Sequence, residues 1–363
     1  MRTAIFALTP PAAALANRLS ACMDEGAGTA RFFTAHLKPQ EERLNAVDCQ
    51  DPIHYFVRLS AAVREAFSRY DALLFIMATG IVVRTIAPLV TSKLSDPAIL
   101  VFDERGKHAI SLLSGHLGGA NALARRLAAA IGADPVITTA TDAQGITAPD
   151  ALAAKLGLRP MPKAMIQETN GALLAGASFP YQIEEGLLHR AFYRARLTAC
   201  GIGVQDAKGK SSDGALRVVL ANKAHGAART LYLVPRRLIA GIGCRSGTSK
   251  HEILSALTAS CARIDVPLSR VDAFASTAAK RAEQGLLAAA EECGCTIQFY
   301  ENQPMREMIE AYGLMESPFV KRTIGIGNVC EAAALCCAGT HGGRFALGKT
   351  KFEKVTVALL WEK

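Results

Sequence analysis

The chain has 363 residues, half of them apolar, with 41 Lys and Arg against 32 Asp and Glu and a formal charge of +9. That apolar share can fill buried cores and excludes wholesale disorder, and the length fits two or three domains. The basic balance calls for an acidic partner, yet no zinc-finger spacing, aromatic-rich RNA motif or long Lys/Arg block points to nucleic acid, and no basic amphipathic helix points to a membrane surface.

At the N-terminus, Met1-Arg2 and the apolar stretch to Ala16 imitate a signal peptide, but Pro10 and Pro11 interrupt it. Thr3–Leu8 reads better as a first strand, and a cytoplasmic protein is expected. The apolar run Ala72–Val83 is too short and interrupted to span a bilayer. Further strands are predicted over Ala72–Met77, Ala98–Phe102, Ala109–Leu113 and Pro135–Thr139. Later ones are Leu231–Leu233, Leu238–Gly241, Val271–Ala275, Thr296–Phe299 and Val355–Leu360. Helices are predicted over Asn121–Ile131, Lys250–Ala259 and Ala278–Glu292. Strands alternating with helices imply an α/β protein: two α/β domains with mostly parallel sheets flanked by helices, joined by a smaller middle segment. A Gly/Pro turn at Ala143–Pro149 and a fresh strand after Arg236-Arg237 set the divisions at 1–145, 146–235 and 236–363. Within the middle segment, Gln205–Gly214 is polar and reads as a surface loop. The ten cysteines, at 22, 49, 200, 244, 261, 293, 295, 330, 336 and 337, include no C-x-x-C pair. Reduced, mostly buried thiols are the expected state.

Several turns carry polar residues where a ligand could sit. Met77–Pro88 leaves a strand through Gly80 and carries Arg84, which either clamps a carboxylate or makes a surface ion pair. Asp103-Glu104-Arg105-Gly106 reads as a hairpin turn, with Glu104 either functional or simply solvated. In Ile110–Asn121 a strand ends, a Ser/Gly/His turn follows, and a helix begins near Gly119. This places Ser114, His116 and the first helix amides at the carboxyl edge of a sheet, a good anion site. Gly115, Gly118 and Gly119 would let a ligand approach the backbone; a capped strand–helix turn is the equal alternative. Thr139 and Asp142, closing the next strand, either line the same cleft or cap a helix.

The C-terminal domain opens with Gly241–Ser249, whose spacing is neither that of a phosphate loop nor that of a dinucleotide loop. It leaves a glycine-rich turn with Gly243, Arg245 and Thr248, entering a helix capped by Ser249 with Glu252 three residues on. Asn328 and Glu331 look like a similar cap pair, and Lys280 with Glu283 like a helix-surface ion pair. There is no G-x-S-x-G elbow or H-E-x-x-H, and the eight histidines do not cluster, so no protein-bound metal is expected.

Taken together, Gly80–Arg84, Ile86–Pro88, Asp96–Ala98, Asp103-Glu104, Ser111–Asn121 and Pro135–Asp142 resemble the cobalt-precorrin-5A hydrolase family. So do Gly241–Cys244, Lys280, Glu283, Gly285-Leu286, Ser317–Val320 and Glu331–Leu335. The resemblance covers about residues 70–145 and 238–360 and is weak between them. One departure is Ala278, beyond the Phe274-Ala-Ser stretch, where the family often has an acidic residue. The C-terminal domain also exists alone, in proteins of the oxygen-dependent cobalamin route.

The resemblance implies a hydrolase acting on a carbon–carbon bond. It would open the δ-lactone of cobalt-precorrin-5A and release acetaldehyde, giving cobalt-precorrin-5B in cobalamin biosynthesis. Its partner would be an anionic cobalt-corrinoid, with cobalt carried by the substrate and no cofactor of the protein's own; neighbouring precorrin methyltransferases are candidate partners. His116 is the first choice for the acid–base group, since a histidine titrates in the right range. Glu104 and Asp142 are second choices, for orienting it or the water. Arg84, Ser114, Gly115, Gly118, Gly119, Asn121, Thr139, Gly243, Arg245, Thr248 and Lys280 are the expected substrate-binding residues. The rivals are a non-catalytic corrinoid carrier and a phosphate-ligand enzyme built on the Gly241–Thr248 turn.

Overall fold

In the computed structural model, which describes residues 1–23, 28–38, 52–92, 95–207 and 214–363, apolar runs form the central strands of three sheets. Cys49, and the Lys208–Asp213 part of the expected surface loop, lie outside the described residues. By their contacts the described residues fall into two units. One comprises Met1–Ser114, Ala120–Val136 and Arg237–Lys363, and the other Gly115–Gly119 and Ile137–Arg236.

The first sheet contains β1 (Thr3–Ala7), β2 (Thr29–Thr34), β3 (Ile53–Phe56), β4 (Ala72–Ile76), β5 (Ala98–Phe102), β6 (His108–Leu113) and β7 (Asp134–Val136). Their order is β3-β2-β1-β4-β5-β6-β7. Every residue of β1, β4 and β5 is buried, as parallel strands with helices on both faces require. The helices are α1 (Pro10–Ala21), α2 (Leu59–Arg69), α3 (Thr79–Ile86) and α4 (Ala120–Ile131). Leu15 and Leu19 of α1 and Leu123 and Leu127 of α4 pack with Ile5, Leu74 and Leu100. The alternate residues Phe6, Leu73 and Phe75 meet Val63 of α2 and Val82 of α3. Pro10 and Pro11 open α1, behind a Thr9 cap that accepts from the Ala12 N–H. Proline fits there because the first helical N–H groups have no intrahelical acceptor.

Strands β1 to β5 are parallel, but β6 runs antiparallel to β5, and β7 follows β6. The carboxyl end of β6 therefore lies at the edge where β1 to β5 begin. This refines the expected geometry: Glu104, after β5, and Ser114, after β6, stand at opposite edges, roughly 16 Å apart for five-residue strands.

The second sheet belongs wholly to the second unit and was largely missed in the sequence. It contains β8 (Leu158–Met161), β9 (Tyr181–Ile183), β10 (Val204–Asp206), β11 (Arg217–Leu220) and β12 (Thr230–Pro235), in the order β10-β9-β11-β12-β8. With α5 (Ala140–Ala143), α6 (Pro149–Leu156), α7 (Lys163–Leu174) and α8 (Arg190–Ala199), it encloses a core of its own around Leu152, Ile166, Tyr193, Leu197, Val218 and Leu231.

The third sheet contains β13 (Leu238–Cys244), β14 (Ala273–Thr277), β15 (Thr296–Tyr300), β16 (Gly343–Lys351) and β17 (Val355–Glu362), in the order β15-β14-β13-β17-β16. Strands β13 to β15 are parallel, and β16 and β17 form an antiparallel hairpin beside them. The helices are α9 (Lys250–Arg263), α10 (Gln284–Glu292), α11 (Asn302–Tyr312), α12 (Pro318–Ile324) and α13 (Cys330–Ala338). Leu257 of α9 and Leu286 of α10 cover one face, and the residues of α13, nearly all buried, cover the other. The helix expected over Ala278–Glu292 is interrupted. Ala278–Lys280 form a 3-10 turn, and the α-helix starts only at Gln284. No helix among the described residues is long and apolar enough to cross a membrane.

Candidate active site

The strand–turn–helix segment at the end of β6 is bound internally. Ser111 Oγ donates to Asn121 Oδ1 at 2.7 Å, tying the strand to the first turn of α4. The Ala120 N–H donates to the Ser114 carbonyl and the Gly119 N–H to the His116 carbonyl. Those two amides close the turn on itself, where sequence reasoning had them facing an anion. Ser114 is unusual on two counts. Its φ is 58°, a left-handed conformation rare outside glycine, and its hydroxyl is buried with no partner among the described residues.

His116, in the second unit, lies between two carboxylates of that unit. Its Nε2 is 2.8 Å from Asp142 Oδ2 and its Nδ1 is 3.2 Å from Asp150 Oδ1, with Thr141 Oγ1 3.4 Å from Nε2. Asp142 lies on α5. Asp150 sits in the first turn of α6, where the helix dipole favours an anion. Asp150 also accepts from Asn170 Nδ2 on α7 at 3.1 Å. The Asp150 hydrogen bond, aided by both aspartate charges, outweighs burial and raises the His116 pKa above its ordinary value. In the protonated ring each nitrogen would donate to one of the two carboxylates. Both ring nitrogens of His116 thus face carboxylates, a setting that favours the imidazolium form. Of the three side chains, Asp142 is the most exposed, at 17% against 11% for His116 and 3% for Asp150. Sequence reasoning missed Asp150; its only signal, Pro149-Asp150 opening a helix, reads equally as a boundary turn.

The other predicted residues lie elsewhere. Glu104 is exposed in the β5–β6 turn and accepts from Thr9 Oγ1 at 2.7 Å. That turn is built by Asp103, whose carboxylate accepts the Arg105, Lys107 and His108 N–H groups. On α3, the Arg84 guanidinium lies over Gly80, where a Cβ would stand 3.5 Å from both of its Nη atoms. Thr139 immediately precedes α5. Gly115 and Gly118 belong to the turn bearing His116.

In the C-terminal domain the Ser249–Glu252 capping box forms as expected, and Asn328 and Glu331 bond reciprocally. Arg245 is exposed, and Thr248 Oγ1 donates to the Arg245 carbonyl. Gly243 packs closely on Thr356 Oγ1. Lys280 and Glu283 pair at 2.9 Å, but their side chains are only 14% and 16% exposed, so this is no plain surface pair. Glu283 also accepts from the Gly247 N–H at 3.0 Å. Lys280 first, and then this amide, hold its carboxyl below the usual range.

Residues 61–142 match the family described as Cobalamin synthesis G N-terminal, and residues 238–360 match Cobalamin synthesis G C-terminus. A cobalt-precorrin-5A hydrolase of Salmonella typhimurium is 38% identical over 340 residues, which are 91% of this chain and 90% of that protein. The chain belongs to the cobalt-precorrin-5A hydrolase family. A second relative, the cobalt-precorrin-5A hydrolase of Priestia megaterium, is 30% identical over 306 residues, covering 81% of this chain and 80% of its own. A solved cobalamin biosynthesis protein G homologue from Sulfolobus solfataricus shares the fold, with a TM-score of 0.58 at 18% identity, over 100% of this chain and 97% of its own. In this cobalt-precorrin-5A hydrolase family member the N-terminal match includes His116 and Asp142 but stops short of Asp150. Most of the second unit lies between the two matched regions.

Proposed function

We infer that the chain hydrolyses cobalt-precorrin-5A, opening its δ-lactone and releasing acetaldehyde to leave cobalt-precorrin-5B. The observation that carries this is 38% identity to a cobalt-precorrin-5A hydrolase across 91% of the chain. In the lactone step, water oxygen joins the acyl carbon and the ring oxygen leaves as an alcohol. That alcohol then loses its proton as the adjacent carbon–carbon bond breaks. It becomes the aldehyde carbonyl, and the electron pair enters the macrocycle, which takes up a proton.

Both steps need a proton acceptor and a nearby positive charge. The proposed acceptor is Asp142, the most exposed member of the triad, with the His116 imidazolium stabilising the negative charge that develops and Asp150 fixing the ring. The glycine turn at 115, 118 and 119 and Thr139, in the same unit as the triad, are proposed to receive the substrate; Glu104 is left as a turn residue. Cobalt arrives within the substrate, and the protein supplies no cofactor of its own. A cytoplasmic setting is part of this reading, and the nine described cysteines, all free thiols, suit a reducing compartment. The pathway's methyltransferases are candidate partners.

The test is acetaldehyde release from cobalt-precorrin-5A by the wild type, Asp142→Asn and His116→Ala proteins. Asp142→Asn should slow release per folded molecule by about 10²-fold or more, with urea melts of the same variant giving the folded fraction. Normal release by both variants would remove the triad from the chemistry. Corrinoid binding without release by the wild type would make the chain a carrier.

A further inference from the structure

We propose that the first unit holds a nucleotide-binding site, in which a purine base stacks on His54 and the phosphate tail reaches Arg58. The site goes beyond the hydrolysis proposed above and does not rest on it.

A cavity of about 710 Å³ opens within that unit, a size that suits a small organic ligand. Its wall includes His54 and Phe56 of β3, Arg58 just beyond, Phe32 of β2 and Tyr70 at the end of α2. His54, Phe56 and Arg58 are alternate residues, so extended chain brings all three to one face. Phe56 is buried, while His54 and Arg58 are exposed and line the same opening, where an entering molecule meets both.

The base end is marked by a column of rings that runs across the sheet. Phe75 on β4, Phe6 on β1, Phe32 on β2 and His54 on β3 stack in turn, with centroids 5.1, 4.7 and 4.8 Å apart. The interplanar angles are 14°, 19° and 21°. Each step is about one strand spacing. β3 is the outermost strand, so no described strand lies beyond His54 to continue the column. A flat heterocycle can take that next place, because bases stack on aromatic side chains, histidine included.

The tail end is marked by charge. Among the described residues the cavity is lined by three arginines, Arg2, Arg58 and Arg69, against one carboxylate, Glu65. Arg69 pairs with Glu65 at 2.7 Å, and the Arg2 guanidinium lies 5.1 Å from the Tyr70 ring and 5.2 Å from the Tyr312 ring. The side chains of His54 and Arg58 have no hydrogen-bond or ion-pair partner among the described residues. Arg58 follows His54 by four residues, roughly 13 Å of extended chain, which matches a nucleoside triphosphate from base to terminal phosphate. A corrinoid fits less well. Its acidic arms surround the ring and call for donors on several sides, whereas the uncommitted arginine stands at one end.

The experiment is isothermal titration calorimetry of the full chain with ATP, adenosine and inorganic tripolyphosphate. ATP should bind, and each half of it should bind at least tenfold more weakly. His54→Ala should weaken ATP about tenfold, the loss expected for one stacked base, and His54→Phe should recover most of it. Arg58→Gln should also weaken ATP about tenfold, as for a hydrogen bond involving a charged group. Both side chains are exposed, so all three variants should melt with the wild type. Absence of ATP binding would overturn the proposal, as would ATP affinity indifferent to His54→Ala and Arg58→Gln. Cobyrinic acid binding that both variants lose, in a chain that binds no ATP, would overturn it too and give the cavity to the macrocycle.

Discussion

Ser114 holds a left-handed backbone conformation and buries an unpartnered hydroxyl, and each feature works against stability. The conformation costs of order 1–3 kcal/mol for a non-glycine residue, and an unsatisfied buried hydroxyl costs about as much again. Ser114→Gly removes both, less about 0.5–1 kcal/mol for the greater freedom of the unfolded chain. The variant should therefore melt higher than the wild type, and it should have a raised KM if the hydroxyl binds substrate. A lower melting point with an unchanged KM would make Ser114 a structural residue. His116 gives a second test at the same scale. Because folding raises its pKa, its stabilisation is complete below the ordinary value of 6.5 and is lost as pH rises through the folded-state value. The stability gap between the wild type and His116→Asn, read from urea melts, should be wide at pH 6 and narrow at pH 9. A gap that widened toward pH 9 would mean that the ring is held neutral.

Elements are set in place by close backbone approaches that only certain residues permit. Helix α13 crosses β13 at Gly241, where a Cβ would overlap the Cys330 carbonyl oxygen. Both partners are backbone, so Gly241→Ala should destabilise by about 1–3 kcal/mol or more. Gly171, in the middle of α7, has nothing within 4 Å of a Cβ and no left-handed φ. There alanine should stabilise by about 0.5–1 kcal/mol, and paired thermal melts check both signs. The same contrast explains what was legible beforehand. Ala98–Phe102, an unbroken buried run, was bounded correctly at both ends, and Ser249 with Glu252 announced its helix through local chemistry alone. Strand β2 was missed because Arg31 interrupts its apolar run; the arginine is buried and bonds Asn17, a partner 14 residues away in the chain. Strands β8 to β11 are three or four residues long, too short to show a period. In the candidate site, His116 and Asp142 stood in readable turns, whereas Asp150 joins them only through folding, across 34 residues that no spacing rule links.

At the scale of the whole molecule, the charge of +9 acts on any approaching anion before a specific contact forms. Its reach depends on salt: the screening length falls from about 10 Å at 0.1 M to about 3 Å at 1 M. A corrinoid with several acidic arms should therefore meet the enzyme less readily as salt rises. The His116 triad responds differently, since its ion pairs are short and largely shielded from solvent and so are screened little. KM for cobalt-precorrin-5A should accordingly rise several-fold between 0.05 and 0.5 M sodium chloride while kcat stays nearly level. Steady-state acetaldehyde release at fixed pH measures both. A flat KM would mean that the excess charge serves solubility alone. A falling kcat would mean that the proton-transfer groups are open to solvent ions, against the burial of His116 and Asp150.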